Sequence, residues 1–101
     1  MCEFRVVLRK PEGTEEVALD VVRAAYEDGG LVLIDITGRS RKVDGAIIVD
    51  VNVPKEQLEL LGHPLLGRFL NIVFAHVRGA DKETLRAMWE EFKRAGDDVF
   101  G

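Results

Sequence analysis

The hydrophobic period of this chain changes once, at Gly62-His63-Pro64, and that change limits the folds open to it. Ahead of it, Ile47, Val49, Val51 and Val53 alternate with Ile48, Asp50 and Asn52, which predicts a strand with that apolar set facing inward. Behind it, Leu66, Phe69, Leu70, Val73 and Val77 follow the i, i+3, i+4 spacing of a helix. Strands first and helices afterwards make an α+β chain. The reading is a small β-unit over residues 1–61 and a C-terminal helical hairpin over residues 62–101, packed on it as one globular unit. Leu60-Leu61-Gly62-His63-Pro64 is too short and too apolar to act as a flexible linker.

Turn chemistry divides the first part into short strands, the spacing expected of a small sandwich or barrel. Phe4–Leu8 is the first, and Pro11-Glu12-Gly13 closes a hairpin because proline fixes φ and glycine accepts a positive one. Val17–Val22 returns, followed by Ala24–Glu27. Asp28-Gly29-Gly30 is the strongest hairpin signal, set between Tyr26 and the β-rich run Leu31–Ile36. Thr37-Gly38-Arg39 turns the chain again, and Pro54 ends the alternating strand. Gln57–Leu61 fits either a last strand or a short helical turn.

In the second part, Pro64 suits a first helical turn and Gly79 a helix end. The helix between them is apolar nearly all round, with Leu65, Ile72 and Phe74 on its other side, so it should be buried on most sides. Asp81 can cap a second helix striped by Leu85, Met88, Trp89 and Phe92, and Gly96 can terminate it. A β-unit of some sixty residues has little surface for hiding so much apolar helix. The expectation is a homodimer with the first helix at or near its interface.

Composition narrows the function classes. With 101 residues, 47% hydrophobic and 32% charged, the chain suits one globular domain. Its net charge of −4 sits wholly in the first part, where 8 Lys and Arg face 12 Asp and Glu over residues 1–61. Such a balance opposes nonspecific nucleic-acid binding, which depends on neutralising phosphates. One cysteine allows no intrachain disulfide, and no apolar run is long enough to cross a bilayer. The expected location is the cytoplasm.

Reactive side chains are few. Cys2 follows the initiator methionine; once Met1 is removed it offers an α-amine and a thiol that close a five-membered chelate on a soft metal. Thiolate suits zinc, copper and nickel, and square-planar nitrogen–sulfur ligation points to nickel or copper(II). One chain supplies half of such a site, and a two-fold dimer would bring two Cys2 residues to its axis. The plainer reading of Cys2 is a small hydrophobe near a terminus. His63 and His76, 13 positions apart, fit no zinc spacing with one cysteine. No glycine-rich phosphate loop precedes a helix, and no motif supplies Cys2 with a catalytic base or oxyanion hole. Arg39, Arg41 and Lys42 form the one basic cluster of the first part. They read either as an RNA or partner contact or as charges protecting a sheet edge.

Met1-Cys2-Glu3-Phe4, then Leu33-Ile34-Asp35-Ile36-Thr37-Gly38, Gly45 and Ile48-Val49-Asp50-Val51 together resemble the CooT family of small nickel-binding proteins, over roughly residues 1–61. The resemblance implies a small SH3-like β-barrel and an accessory role in nickel delivery to carbon monoxide dehydrogenase. It implies too that the cysteine after the initiator methionine, Cys2 here, binds nickel at a homodimer interface. Archaeal relatives with the MCEF start have also been labelled predicted RNA-binding proteins. Residues 62–101 are an addition to the short members.

Three functions follow as expectations. The first is a non-catalytic accessory protein that holds nickel, or another soft divalent metal, at Cys2 for a metalloenzyme client. The second is an RNA-binding module using Arg39, Arg41 and Lys42, and the third an adaptor acting through the C-terminal helices.

Overall fold

The computed structural model describes residues 3–101. Six strands precede two helices: β1 (Phe4–Lys10), β2 (Gly13–Glu27), β3 (Gly30–Asp35), β4 (Ser40–Asp44), β5 (Ala46–Asn52), β6 (Gln57–Gly62), α1 (Leu66–Val77) and α2 (Lys82–Phe100). The strands form one sheet in the order β4-β3-β2-β1-β6-β5. Only the β1–β6 pairing is parallel, with Arg5 opposite Gln57 and Arg9 opposite Leu61; the other pairings are antiparallel. Gln57–Leu61, undecided in the sequence, is therefore a strand.

The turns form where their residues predict. Asp28 and Gly29 take φ of 45° and 78° between the paired residues Glu27 and Gly30, a two-residue hairpin in which both centres have positive φ. β2 is one 15-residue strand, not two. It bends at Asp20, φ 54°, where the register slips against both neighbours, so its first half pairs with β1 and its second half with β3. That bend curls the sheet around a core of Val6, Leu8, Val17, Val21, Leu31, Leu33, Val43, Ala46, Leu58 and Leu60.

The expected small SH3-like β-barrel needs correction on one point, closure: the ladder is an open six-stranded sheet ending at β4 and β5. A single residue, Gly45, separates these two strands, too little chain to fold one back on the other. The curled ends are instead tied at points. Gly45 N–H donates to Gly29 O at 2.9 Å, His63 N–H donates to Gly45 O at 3.0 Å, and Ile48 N–H donates to Tyr26 Oη at 2.8 Å. Gly45 has φ +64°, and a Cβ there would lie 2.8 Å from His63 O, so both conformation and space exclude a side chain.

A second correction concerns β5. Ala46 is fully buried and Ile48 packs on the core, whereas Val49, Val51 and Val53 are about half exposed. The register slips between Ile48 and Asp50, so the alternation loses its phase, and β5 is an edge strand with little protein over its far half.

α1 ends in a paired cap: Gly79 N–H donates to His76 O and Ala80 N–H to Ala75 O. Asp81 caps α2, its Oδ1 accepting from Thr84 N–H at 2.7 Å. Gly96 does not end α2, which runs on to Phe100, whose ring stacks on His63 at 5.5 Å. The helices pair through Phe69 and Phe92, with ring centroids 5.8 Å apart, and through Arg68 and Glu91 at 3.6 Å; Trp89 packs on Phe92 within α2 at 5.6 Å. No residue of either helix is buried. The Cα radius of gyration is 15.3 Å, against about 13 Å for a compact domain of this size.

α1 meets the sheet by close backbone approach. A Cβ on Gly67 would sit 2.8 Å from Gly29 O, while one on Gly96 meets nothing within 4 Å. Gly67→Ala should cost about 1–3 kcal/mol through this clash, and Gly96→Ala should stabilise by about 0.5–1 kcal/mol by removing backbone freedom from a helix. Urea unfolding of the two variants checks the contrast.

Candidate metal centre at the start of the first strand

Cys2 lies outside the described residues, as does Met1, but the place where the chain enters the sheet is well defined. Phe4 pairs with Val21 on one side, and Arg5 with Gln57 on the other. Arg5 N–H donates to Glu56 O at 2.9 Å, and Arg5 Nη2 to Gln57 Oε1 at 2.7 Å. Grouped at this end of the sheet are Leu19, Val22, Ile36, Val51 and Val53, each 41–55% exposed. The bend at Asp20 sets Leu19 and Val22 on either side of the Asp20–Val21 step opposite Phe4, and Ile36 N–H donates to Asp20 O at 2.9 Å. The turn after Val53, closed by Glu56 N–H to Val53 O, leads directly into Gln57. Single exposed aliphatics are ordinary, but a group of five around one strand start is the mark of a contact surface. Sequence reasoning missed this rim because alternation along β5 looks the same whether its apolar face meets a core or a partner.

Beside the rim, Asp35 organises the β3–β4 turn. Its Oδ1 accepts from Thr37 Oγ1 at 2.6 Å, Thr37 N–H at 2.9 Å and Arg39 N–H at 3.1 Å. The Thr37 hydroxyl first, then these amides and the Arg39 charge, hold the carboxyl below its ordinary value of 3.8.

The basic cluster does not form one patch. Arg41 and Lys42 are consecutive on β4, so their side chains leave opposite faces of the sheet. Arg41 Nη1 donates to Val17 O, and Lys42 Nζ to Asp28 O at 3.0 Å, while Arg39 lies in the preceding turn. His63 Nδ1 accepts from Leu65 N–H at 3.1 Å, a local turn bond. His76 stands in the last turn of α1, roughly 15 Å along the helix from its start. Among the described residues no three His, Cys, Asp or Glu side chains are grouped to hold a metal. A cleft of about 590 Å³ between the sheet end and α1 carries Lys10, Asp28, Asp44, His63 and Arg68. Its cations are already paired, Lys10 with Glu15 at 2.9 Å and Arg68 with Glu91 at 3.6 Å.

The sequence profile of the family described as CO dehydrogenase accessory protein CooT matches residues 1–60, the stretch that carries Cys2 and almost all of the sheet. The chain belongs to the CooT family. A crystal structure described as that of a candidate CooT from Carboxydothermus hydrogenoformans is similar at a TM-score of 0.55 and 19% identity, covering 61% of this chain and 98% of that one. At that identity the likeness is one of fold. No curated protein matches the chain. The CooT family is thus one of accessory proteins, and the CooT portion ends where α1 and α2 begin. Among the described residues no helix is long and apolar enough to cross a membrane.

Asp35 yields a signed expectation. A carboxyl held low in the folded state contributes stability that is complete above its unfolded value near 3.8 and disappears as pH falls through the folded one. Wild-type stability should hold steady above about pH 5 and decline in acid. Asp35→Asn, which keeps an acceptor but no charge, should be less stable at neutral pH and decline less in acid, as read by thermal midpoints between pH 2.5 and 7.

Proposed function

We propose that this protein is a cytoplasmic, non-catalytic accessory protein that binds nickel through Cys2 at a two-fold homodimer interface and supplies it to a metalloenzyme, carbon monoxide dehydrogenase being the client its family describes. The observation that carries the reading is the coincidence of two features at one strand start: the family match includes Cys2, and an exposed apolar rim surrounds the β1 end from which Cys2 projects in sequence. Two residues of chain reach at most about 7 Å. A self-complementary contact through the rim then brings two thiolates together, because an isologous interface presents the same patch from both partners.

The donor set in this reading is two Cys2 thiolates with main-chain nitrogens of the two chains. Soft sulfur and anionic or amine nitrogen suit nickel(II) in a square plane. Each donor must lose a proton to bind, so affinity should rise with pH and protons should be released on loading. Copper(II) should bind at least as tightly by the Irving–Williams order, which leaves selectivity to metal supply or the client.

Calorimetric titration of tag-free protein with nickel should give one ion per two chains, with tighter binding at pH 8 than at pH 6.5. Cys2→Ser should abolish the stoichiometric phase, and Leu19→Glu should weaken it by disrupting the rim. Unchanged stoichiometry in Cys2→Ser would refute the assignment.

A further inference from the structure

The parallel pairing of β1 with β6 places the chain start and the helical hairpin at opposite ends of β1. Arg5 lies beside Gln57, Arg9 beside Leu61, and the hairpin leaves from Gly62. The length of β1 separates these ends by about 20 Å. An interface around Cys2 therefore leaves the hairpin's own apolar surface unexplained.

That surface is specific. Around α1, one side is occupied by the sheet, with Gly67 against Gly29 and Asn71 within 3.1 Å of the Cβ position of Gly29. A second side is occupied by α2 through Arg68 and Glu91. The third carries Val73 and Val77, 41% and 80% exposed, and is bordered by Phe69, which is 45% exposed and sets its ring 5.8 Å from that of Phe92 on α2. Beside it, Ile72, His76, Leu85 and Trp89 line a groove between the helices that Lys82 and Arg86 of α2 also border, and Trp89 is 43% exposed. From His63 to Ala80 there is no acidic residue, and the two arginines are turned elsewhere: Arg68 to Glu91, Arg78 over the Phe74 ring at 5.4 Å. The α1 stripe itself thus carries none of the charges that normally keep an apolar helix face monomeric; of the α2 cations beside it, Arg86 is paired with Glu90 at 3.3 Å.

We propose that this face is a homotypic interface, separate from the one at Cys2, in which two hairpins pack α1 against α1 about a two-fold axis at Val73 and build a four-helix bundle. Two arguments select a second copy as the occupant. The stripe is symmetric about its midpoint: Phe69 and Val77 each stand four residues from Val73. An antiparallel two-fold through Val73 therefore sets Phe69 of each copy on Val77 of the other, the reciprocal contact an isologous interface requires. The area also fits. Phe69, Val73, Val77 and Trp89 expose roughly 400 Å² of apolar surface, and a stable dimer needs about 800 Å² per partner, a little over half of it apolar. Burial of this face would supply the cover that both helices lack as single chains.

Two isologous interfaces on one chain build a closed tetramer when their axes meet at right angles. Sedimentation equilibrium of the full chain and of Val77→Glu, Val73→Glu and Leu19→Glu separates the possibilities. The hairpin interface predicts that Val77→Glu and Val73→Glu each halve the wild-type mass, with helix content by circular dichroism retained. If both interfaces operate, Leu19→Glu halves it as well; if the mass is insensitive to Leu19→Glu, the hairpin pairing stands without the Cys2 dimer. Trp89, the one tryptophan, supplies a readout without substitution: its emission should shift to the red on diluting wild type through dissociation, and should start red in Val77→Glu. A wild-type mass unchanged by both valine variants, or a monomer with solvent-exposed Trp89 at every concentration, overturns the proposal and gives the face to another partner.

Discussion

Three lengths of main chain converge at Gly45, and the arrangement of the rest depends on that meeting. Its amide is bound to the β2–β3 turn through Gly29 O, and its carbonyl to the start of the helical segment through the His63 amide. A side chain would have to occupy the space held by His63 O. Because one residue carries the chain from β4 to β5, the two ends of the sheet are fixed side by side without a ladder between them. The curl around Val6, Leu31 and Leu60 is maintained by this junction as well as by burial. Gly67 and Gly29 then bring α1 against the same point, so sheet and hairpin share one anchor.

Much of this was legible in the sequence because it depends on local chemistry. Pro11, the Asp28-Gly29 pair, Thr37-Gly38 and the Asp81 cap each satisfy or bend the backbone within a few residues, and each turn or cap forms at its predicted place. What was illegible depends on distant partners. β6 is a strand because β1 and β5 flank it, a fact that Gln57–Leu61 cannot express alone. The phase of β5 was misread because a register slip after Ile48 separates Ala46 and Ile48, which meet the core, from Val51 and Val53, which do not. The open ladder also depends on spacing around Gly45 that no periodicity reports. Of the candidate site, Cys2 could be singled out by position and resemblance, while the apolar rim emerges only once the Asp20 bend gathers its residues.

The CooT portion and the hairpin divide labour along one axis. The matched residues 1–60 hold the sheet and the chain start. The helices attach beyond them, at the end of β1 remote from Phe4, where they leave the rim uncovered. An addition in this position can alter what the molecule assembles with while leaving the family's characteristic end unchanged.

The same parallel pairing has a consequence for how the chain is made. β1 acquires its second neighbour only from residues 57–62, and Arg5 and Gln57 stand 52 positions apart. Contacts this remote delay folding, because the intervening chain must be ordered before they form. On the ribosome, which releases the amino end first, β1 therefore waits beside β2 with one edge unsatisfied until the sixth strand emerges. The helices follow directly behind that strand, so hairpin docking at Gly45 comes just after the sheet is completed. The first strand of the sheet to be made is thus among the last to reach its final surroundings.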